Sequence, residues 1–595
     1  MATNGSSHPA SHHPHVSPFS RLSDMLWEDR SDLLVLLVYT VMTGVLALAV
    51  PLAAQALVNT IAANVLTQPL VVLTLIVFAG LVFAGVLRVF QLMLVEALQQ
   101  RIFVRVALQL AKQLPRIRHS ALVEEYAPEL VNRFFDVLTV QKAFAKLLLD
   151  GLTALLQVSV GLVLMAVYNP LLLVFDSFLV VFALFVVFVL GIGGLRTSIQ
   201  ESVQKYAVAA WLEELARCHS SFKMSGTIQY LVERADNLTM GYIKSRRLHF
   251  RVLLRQAIGN FLFQAIANAG ILAVGGWLVI NRELTLGQLV AAELIVTAVL
   301  AAMEKLVKQL DEVYDLLTGL DKVGHITDLA VERVGGDPVP RLAEGATVVC
   351  RDVHFSYRDV SPILAGLNLA LNPGDRVSLV GASGVGKSTL VSLMCGLNEP
   401  SHGTVEINGV DVRVADLESL RRVVGLVGDA NDIFEGTIEE NIRVGRAYLT
   451  HEDIRKALEM AQLTNDLALM PRGLKTELIS GGRNLSRGQI QRLLIARATV
   501  GTPQLLILDE AFIGIDEKTK LTILDAIFDQ QNKWTIIDIS HDPEVVTRSA
   551  SIYLLANGKI VESGRTEEII SKPDSAFGGL FPLISLTYCR LQQNS

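Results

Sequence analysis

The sequence predicts an α-helical membrane domain of six transmembrane helices followed by an α/β domain. Three observations support this prediction. The chain has 595 residues and a mean hydropathy of +0.44, with 51% hydrophobic and 18% charged residues, which is too apolar for a soluble protein. Its first half contains long apolar segments. Its second half alternates strand-like and helix-like runs around a glycine-rich loop, the pattern of a largely parallel sheet.

Six segments are long enough to cross a bilayer, which takes about 20 mostly apolar residues. The first, third and fifth connections between them hold almost no Lys or Arg, whereas the second and fourth are long and basic. Because basic loops stay cytoplasmic, we expect both termini and the α/β domain in the cytosol, and a plasma or bacterial inner membrane as the location. The segments lie near Leu33–Val58, Leu70–Leu98, Leu147–Tyr168, Leu171–Leu195, Ala257–Ile280 and Leu289–Met303.

Two carboxylates interrupt these apolar segments. Asp176 lies in the fourth segment and Glu293 in the sixth, each about two turns from the outer end. A carboxylate inside a membrane is costly and by default indicates a substrate path or a polar partner. A carboxylate near the outer end of a span could equally reach water. Both interpretations of Asp176 and Glu293 stay open at this point.

The domain boundaries follow changes in composition. We predict a disordered tail rich in His, Ser and Pro over residues 1–24, a membrane domain over 25–328, a linker over 329–345 and the α/β domain over 346–595. The tail is either simply solvated or binds a metal through its histidines. The formal net charge of −6 gives no indication of a nucleic-acid partner, so we expect the lipid bilayer and other proteins as partners.

The sharpest motif is a glycine-rich loop between a strand and a helix. Arg376–Val380 reads as a buried strand, and a helical pattern starts at Thr389. Between them the sequence matches G-x-x-x-x-G-K-[ST], the phosphate-binding loop of a P-loop NTPase domain. Its backbone N–H groups can cradle phosphate oxygens at the positive end of a helix. The predicted ATP-binding residues are Gly381, Ala382, Ser383, Gly384, Val385, Gly386, Lys387, Ser388 and Thr389.

Hydrolysis needs a metal and a base beside this loop. In such loops the lysine, here Lys387, meets the β- and γ-phosphates, and the hydroxyl of Ser388 is available to Mg²⁺. Asp509 and Glu510 follow the aliphatic run Leu505–Leu508, which reads as another buried strand. Asp509 is therefore predicted to hold Mg²⁺, and Glu510 to polarise the attacking water as general base. ATP and Mg²⁺ are the expected cofactors.

These motifs resemble those of the ATP-binding cassette (ABC) transporters. The segment Leu485, Ser486, Arg487, Gly488 and Gln489 is similar to the family's LSGGQ signature, with Arg487 in place of a glycine. By this resemblance the signature contacts the ATP held by a partner cassette. Tyr357 matches the aromatic that stacks on adenine, His541 the switch histidine at the γ-phosphate, and Asp516 the dimer-contact loop. Ile479–Asn484 looks most like transporters of bacteriocins and type I secretion substrates, and we expect no peptidase domain.

The resemblance implies a type I exporter arrangement and ATP-driven export by alternating access. The chain would be a half-transporter that pairs with a second one, as a homodimer or a heterodimer. Short transverse helices near Glu129–Asp136 and Ser220–Tyr230 would serve as coupling helices. A peptide, a protein, a lipid or another hydrophobic compound could be the substrate. Two other functions stay open, an ATP-gated membrane regulator with little hydrolysis and an importer.

One position departs from the family pattern. Aligned through Asn431 and Gly436, the family's glutamine after the strand Val423–Val427 falls on Asp429. That glutamine senses Mg²⁺ and the γ-phosphate in the family. An aspartate could still ligate Mg²⁺, a hard ion that accepts carboxylate oxygen. It could equally slow hydrolysis or loosen the coupling to the spanning helices.

Overall fold

The computed structural model describes residues 17–47, 49–62, 68–122, 127–168, 170–357, 362–428, 432–572 and 576–582. The chain divides into two compact units. The first comprises Met1–Ile117 and Ala121–Val331, and the second comprises Arg118–Ser120 and Glu332–Ser595. The first unit is helical, and the second contains the sheets.

Helices, most of them long, make up the described part of the chain that precedes Val331. Their bounds are α1 Pro18–Glu28, α2 Arg30–Ala47, α3 Ala49–Ala62, α4 Gln68–Gln113, α5 His119–Leu122, α6 Ala127–Asn132, α7 Asp136–Lys146, α8 Leu152–Tyr168, α9 Pro170–Leu184, α10 Gly194–Arg217, α11 His219–Ser225, α12 Gln229–Ile280 and α13 Leu286–Thr327. Pro51 lies within the helical stretch Arg30–Val58.

The predicted spans largely coincide with helices, except that Leu171–Leu195 runs across a turn at residues 190–193 between α9 and α10. Among the described residues, five helical stretches are long and apolar enough to cross a membrane: Arg30–Val58, Leu70–Arg116, Leu130–Ala166, Ser177–Arg217 and Gln229–Ile280. The sixth predicted span, Leu289–Met303, lies within α13 but is not among these five stretches. The 52 residues of α12 correspond to about 78 Å of helix. A hydrocarbon core is only about 30 Å thick, so such a helix extends far beyond it.

Two sets of buried polar groups inside this helical unit are paired across helices. The Asp29 carboxylate, whose side chain is 2% exposed, accepts hydrogen bonds from Arg101 at 3.0 Å and from Arg105 at 3.0 and 3.1 Å. These bonds tie the junction of α1 and α2 to α4. Deeper in the unit, Gln91 Nε2 donates to Thr40 Oγ1 at 2.9 Å, and both side chains are buried. Such pairing is what buried polar groups require in an apolar surrounding.

The second unit contains two main sheets. The strands are β1 Val348–Phe355, β2 Leu364–Leu371, β3 Arg376–Val380, β4 His402–Ile407, β5 Val410–Asp411, β6 Val424–Val427, β7 Gly436–Thr437, β8 Glu477–Leu478, β9 Leu505–Asp509, β10 Thr535–Ile539, β11 Ser551–Ala556 and β12 Lys559–Arg565. One sheet has the order β2-β1-β4-β5 and is antiparallel; the other has the order β12-β11-β3-β10-β9-β6.

Helices pack around these sheets. They are α14 Lys387–Met394, α15 Leu417–Val423, α16 Ile438–Arg443, α17 His451–Met460, α18 Thr464–Leu469, α19 Arg487–Thr499, α20 Glu517–Ile527, α21 Pro543–Val546, α22 Thr566–Ile570 and α23 Ala576–Leu580. Strands β3, β10 and β9 are adjacent and parallel. Their carboxyl ends therefore meet at one edge, where ligands bind in open α/β sheets.

One carboxylate is enclosed in this sheet without full pairing. Asp538 on β10 is completely buried, and its Oδ1 has no hydrogen-bond partner among the described residues. Ser378 Oγ donates to Oδ2 at a long 3.4 Å. Burial raises the pKa of Asp538 well above its ordinary value, and the nearby carboxylates of Asp542 and Asp509 raise it further. Burial therefore favours the protonated form of Asp538 in the folded protein.

We expect Asp538→Asn to be more stable relative to the parent at pH 8 than at pH 5. Because the pKa of Asp538 is higher in the folded state than in the unfolded state, stability falls as the pH rises above about 4, by up to about 1.4 kcal/mol per pH unit. The amide has the shape of the protonated acid and does not titrate. Thermal unfolding of the full chain at both pH values, with the exposed Asp525→Asn as control, measures the difference. A pH dependence that is the same in Asp538→Asn and in the parent would contradict this account.

Candidate nucleotide-binding site

The glycine-rich loop lies between β3 and α14, as its sequence predicts. Gly384 and Gly386 have φ of +81° and +105°, conformations that residues with a Cβ rarely adopt. A Cβ on Gly386 would also lie 2.8 Å from Ile363 Cγ2. The loop can therefore turn its N–H groups toward the start of α14, where they and the helix dipole favour an anion.

Lys387 is the first residue of α14 and lies under this loop. Its side chain is buried, and Nζ donates hydrogen bonds to the carbonyl oxygens of Gly381 at 2.8 Å and Ala382 at 3.0 Å. Burial lowers the pKa of Lys387, against the opposing effect of Glu510 and Asp509. The ammonium is thus held at the centre of the loop, where phosphate oxygens can replace the two carbonyl acceptors.

Ser388 and Asp509 meet across the site. Ser388 Oγ donates to Asp509 Oδ2 at 2.9 Å, although the two residues are 121 positions apart in the chain. Asp509 ends β9 and is half-buried. Burial raises the pKa of Asp509 above its ordinary range, and the hydrogen bond from Ser388 opposes that rise. One hydroxyl and one carboxylate oxygen form a hard donor pair, which is the ligand type that Mg²⁺ prefers.

Glu510 has an unusual backbone conformation. Its φ is +49°, in the left-handed region that is uncommon for a residue with a side chain. Its N–H donates to the carbonyl oxygen of Ile539, the last residue of β10, at 2.8 Å. The chain therefore turns sharply after β9, and the Glu510 carboxylate is exposed to solvent beside the half-buried Asp509. Strained residues of this kind cluster at functional sites.

These groups surround one cleft at the carboxyl ends of the strands. His541 follows β10 and is exposed there. Ile363 and Gln491 also line the cleft, although the sequence did not indicate them. The lining residues include Ser383, Gly384, Gly386, Lys387, Ser388, Thr389, Asp509, Glu510, His541 and Arg487.

The signature segment forms the start of helix α19. Ser486 Oγ accepts a hydrogen bond from the N–H of Gln489 at 3.2 Å, and Gln489 Oε1 accepts one from the N–H of Ser486 at 2.9 Å. This reciprocal pair is a capping box, which fixes the point where the helix begins. Leu485 packs beside the hydrophobic core of the same unit. The signature thus presents a well-defined helix N-terminus, a feature that attracts phosphate.

Asp466 is a supporting residue that the sequence did not reveal. It accepts hydrogen bonds from Gln489 Nε2 at 2.8 Å and from Arg492 at 2.7 and 3.3 Å. Burial acts in the opposite direction, but the hydrogen bonds from Arg492 and Gln489 hold the pKa of Asp466 below its usual value. Asp466 comes from the short helix α18, so only the fold brings it to the signature.

The signature also touches the loop that follows Glu510. A Cβ on Gly488 would lie 3.0 Å from the carbonyl oxygen of Gly514, so only glycine fits at this position without displacement. A Cβ on Gly514 would lie 3.1 Å from Cγ and Cδ of Arg487. Two residues further on, Asp516 caps α20 by accepting from the N–H of Thr519 at 3.0 Å, which lowers the pKa of Asp516.

Several predicted site residues lie elsewhere. Tyr357 packs edge-on against Phe355, with ring centroids 4.8 Å apart, and is not among the described residues that line the cleft. Asp429 falls outside the described residues, so its role stays a prediction. Asp176 lies in α9, but its side chain is outside the described ones. Glu293 lies in α13 and is exposed. The roles of Asp176 and Glu293 remain predictions.

Comparison with known proteins decides the family. The family model for the ABC transporter transmembrane region matches residues 33–303, and the ABC transporter model matches residues 364–513. The chain belongs to the ABC transporters. The predicted resemblance and the predicted fold class, a helical membrane domain followed by a P-loop cassette, are thereby confirmed. The transporter is an integral membrane protein with an ATP-binding cassette.

Individual relatives agree with this assignment. The Transport/processing ATP-binding protein ComA of Streptococcus pneumoniae is 25% identical over 87% of this chain and 72% of its own length. The Alpha-hemolysin translocation ATP-binding protein HlyB of Escherichia coli is 28% identical over 73% of this chain, which spans 62% of that protein. The uncharacterized ABC transporter y4gM of Sinorhizobium fredii is 32% identical, over 53% of this chain and 54% of its own length.

A solved structure shows the same fold. A bacterial Atm1-family ABC exporter with ATP bound matches 93% of this chain and 98% of its own, with a TM-score of 0.81 and 21% sequence identity. A chain with one membrane region and one cassette is a half-transporter, which pairs with another ABC subunit. ATP-driven export across a membrane is the activity that these relationships support.

Proposed function

We propose that this transporter hydrolyses ATP at the cleft around Lys387 and Glu510 and uses the energy for export by alternating access. The observation that carries the proposal is the contact between Ser388 and Asp509, because it joins the phosphate-binding loop to the strand that ends in two acids. Lys387 supplies the positive charge on one side of the cleft. Glu510 supplies a carboxylate at the other side, and the hydrogen bond from its N–H to Ile539 fixes the backbone there.

The residues of the cleft divide the chemistry among them. The loop N–H groups and Lys387 bind the phosphates of ATP. Glu510 orients the attacking water and accepts its proton, and His541 is close enough to the same cleft to donate to the γ-phosphate. Ser388 and Asp509 would hold Mg²⁺, which when bound neutralises charge on the phosphate oxygens. Because burial raises the pKa of Asp509, we expect metal binding by this carboxylate to fail at a higher pH than it would for an exposed aspartate.

Two copies of this chain are the simplest functional assembly. One chain contains both halves of a composite site, the phosphate loop with Glu510 and the signature at the start of α19. In a head-to-tail pair the signature of each copy would cap the ATP bound by the other. A two-fold axis then builds two identical sites from one sequence. Tyr357 would stack on adenine, and Asp516 would lie near the dimer contact.

Closure of the cassettes is proposed to drive the membrane helices. ATP binds the closed pair better than the open pair, and this differential affinity shifts the population toward the outward-open state. Hydrolysis then resets the pair. In this arrangement the cassette and both termini are cytoplasmic, in a plasma or bacterial inner membrane. The regulator alternative is disfavoured because Lys387, Asp509, Glu510 and His541 are all present.

We propose a peptide or protein as the substrate. The support is the segment Ile479–Asn484 together with the relative HlyB, whose name assigns it alpha-hemolysin translocation. Within the segment, Asn484 accepts from the Ile479 N–H at 3.1 Å and donates to the Glu477 carbonyl at 2.9 Å, which fixes the loop before the signature. Lipids and other hydrophobic compounds are the competing substrate class.

The experiment is an ATPase assay of the full chain in lipid discs. If peptides are the cargo, a matching peptide raises the ATPase rate several-fold at saturation, whereas changes in lipid composition alone have a smaller effect. Glu510→Gln discs serve as the control, because contaminating ATPases would persist in them. Stimulation by lipids and none by any peptide would contradict the peptide assignment, and absence of all Glu510-dependent hydrolysis would contradict the proposed transporter ATPase.

A further inference from the structure

Two histidines and an aspartate meet at the surface of the antiparallel sheet. Asp352 and His354 lie on β1, and His402 is the first residue of β4. His354 and His402 are direct partners across the antiparallel pair. Strand partners on one face have side chains close enough to act together. The three side chains therefore form one cluster, which lies outside the residues that line the nucleotide cleft.

The ligand atoms of this cluster have the spacing of a metal site. His354 Nε2 lies 3.2 Å from Asp352 Oδ1, and His402 Nδ1 lies 3.4 Å from Asp352 Oδ2. All three ligand atoms lie within 4.8 Å of one another. A tetrahedral ion with bonds of about 2.0–2.1 Å holds its ligand atoms roughly 3.4 Å apart. We propose that Asp352, His354 and His402 bind a divalent transition-metal ion of the zinc type.

The backbone is shaped to bring Asp352 toward the histidines. The pairing of β1 with β4 shifts register between Arg351 and His354, as in a β-bulge. Asp352 has a φ of +48°, a left-handed conformation uncommon for aspartate. Its N–H donates to Asn368 Oδ1 at 3.0 Å, which fixes the bulge. A Cβ on Gly403 would lie 2.1 Å from the Asp352 carbonyl oxygen, so glycine is required where β4 passes.

The cluster also has space for an ion. Opposite it on β2 is Gly366, where a Cβ would lie 3.1 Å from Asp352 Oδ1 and 3.6 Å from His354 Nε2. The missing side chain leaves room beside these two ligand atoms. The side chains of Asp352, His354 and His402 are 60%, 40% and 73% exposed. An ion can therefore enter from solvent. The imidazole rings can turn to bring the ligand atoms to tetrahedral spacing, and a water can fill the fourth position.

The donor set selects the class of ion. Two imidazole nitrogens and one carboxylate suit zinc and its neighbours, whereas Mg²⁺ and Ca²⁺ prefer oxygen alone. One carboxylate offsets only part of the ion's charge. Lys559 Cε lies 3.6 Å from the same Gly366 Cβ position, so its ammonium opposes the ion. We expect Lys559→Gln to bind the ion more tightly than the parent.

The test uses the full chain with the histidines of its N-terminal tail replaced, so that they cannot compete for the metal. The reference protein carries serine in place of His8, His12, His13 and His15, is stripped with a chelator and contains no nucleotide. Zn²⁺ is titrated by calorimetry, and Co²⁺ is followed by the visible absorption of its tetrahedral complexes. We expect about one high-affinity ion per chain. His354→Ala and His402→Ala should each weaken binding by about tenfold or more, and the double variant should abolish it.

His451→Ala is the matched control, because this cassette histidine is 84% exposed and begins helix α17 rather than lying on the antiparallel sheet. It should bind the ion as the reference does. Zn²⁺ should also raise the unfolding temperature of the reference by mass action, but not that of the double variant. Magnesium-dependent ATPase of the zinc-free double variant reports its folding and should be unchanged. Equal Zn²⁺ affinity in the double variant and the reference, or no binding by the reference, would overturn the proposal.

Discussion

Glu510→Gln is expected to lower the ATPase rate by roughly two to four orders of magnitude, the range that positioned general bases contribute. The amide cannot accept the proton of the attacking water. ATP affinity should change little, because the backbone turn at this position is set by the hydrogen bond to Ile539 and by the left-handed φ of +49°, and a glutamine of the same length leaves both in place. Phosphate release and nucleotide affinity, measured on the same discs, separate the two effects.

The control for this variant is Glu418→Gln. The Glu418 side chain is 75% exposed and pairs with Arg422 on the surface of α15. Exposed ion pairs contribute little to stability, so this variant should hydrolyse ATP at the parent rate. If Glu510→Gln retained more than about a tenth of the parent rate, another group would be the base, and His541 would be the first to replace.

Lys387→Ala is expected to weaken ATP binding by about 10- to 100-fold. A hydrogen bond to a charged group contributes about 1.5–3 kcal/mol, which corresponds to that range. Calorimetry with ATP measures the loss. Lys387→Arg keeps the charge but spreads it over a planar group, so its ATP affinity should lie between those of the parent and Lys387→Ala. Nζ also donates to the carbonyl oxygens of Gly381 and Ala382, so its loss could destabilise the loop itself. The unfolding temperatures of the variant and the parent without nucleotide are therefore compared as well. Affinity equal to that of the parent would remove Lys387 from phosphate binding.

The same variant tests the head-to-tail pairing. A Ser486→Asp chain keeps a helix-capping side chain and adds a negative charge at the signature, against the phosphates that it would meet. When Lys387→Ala and Ser486→Asp chains are mixed, both defects fall in one composite site and the other site is intact. The mixed pair should therefore regain activity that neither variant shows alone. If each chain instead used its own signature, no intact site would form and the mixture would stay inactive.

The sequence predicts most of the framework because the relevant signals are local. Apolar segments of bilayer length predicted the spanning helices, and the strand, loop and helix around Gly381–Ser388 predicted the phosphate site. The antiparallel sheet and the order of the strands were not predicted, since pairing between distant strands leaves no local pattern. Asp429 shows another limit, because alignment through Asn431 places it in the site by resemblance alone.

Site details that depend on chain crossing were also missed. Asp466 is distant in sequence from the signature that it supports. The cluster of Asp352, His354 and His402 needs the β1–β4 pairing, which brings together residues about 50 positions apart. The left-handed turn at Glu510 follows an aliphatic strand with no glycine to indicate it. Asp516 was assigned by resemblance to a dimer loop, and the structure adds that it caps α20.

The close approach of Gly488 to Gly514 has a mechanical consequence. With only 3.0 Å between a would-be Cβ and the carbonyl oxygen, the backbone at the start of α19 lies directly against the loop that follows Glu510. A displacement of the start of α19 by a neighbouring molecule would therefore also displace the stretch just after Glu510. Cleavage of the phosphate bond would then depend on contact with the second subunit. An isolated cassette would hydrolyse ATP slowly, and rapid hydrolysis would occur only in the assembled pair.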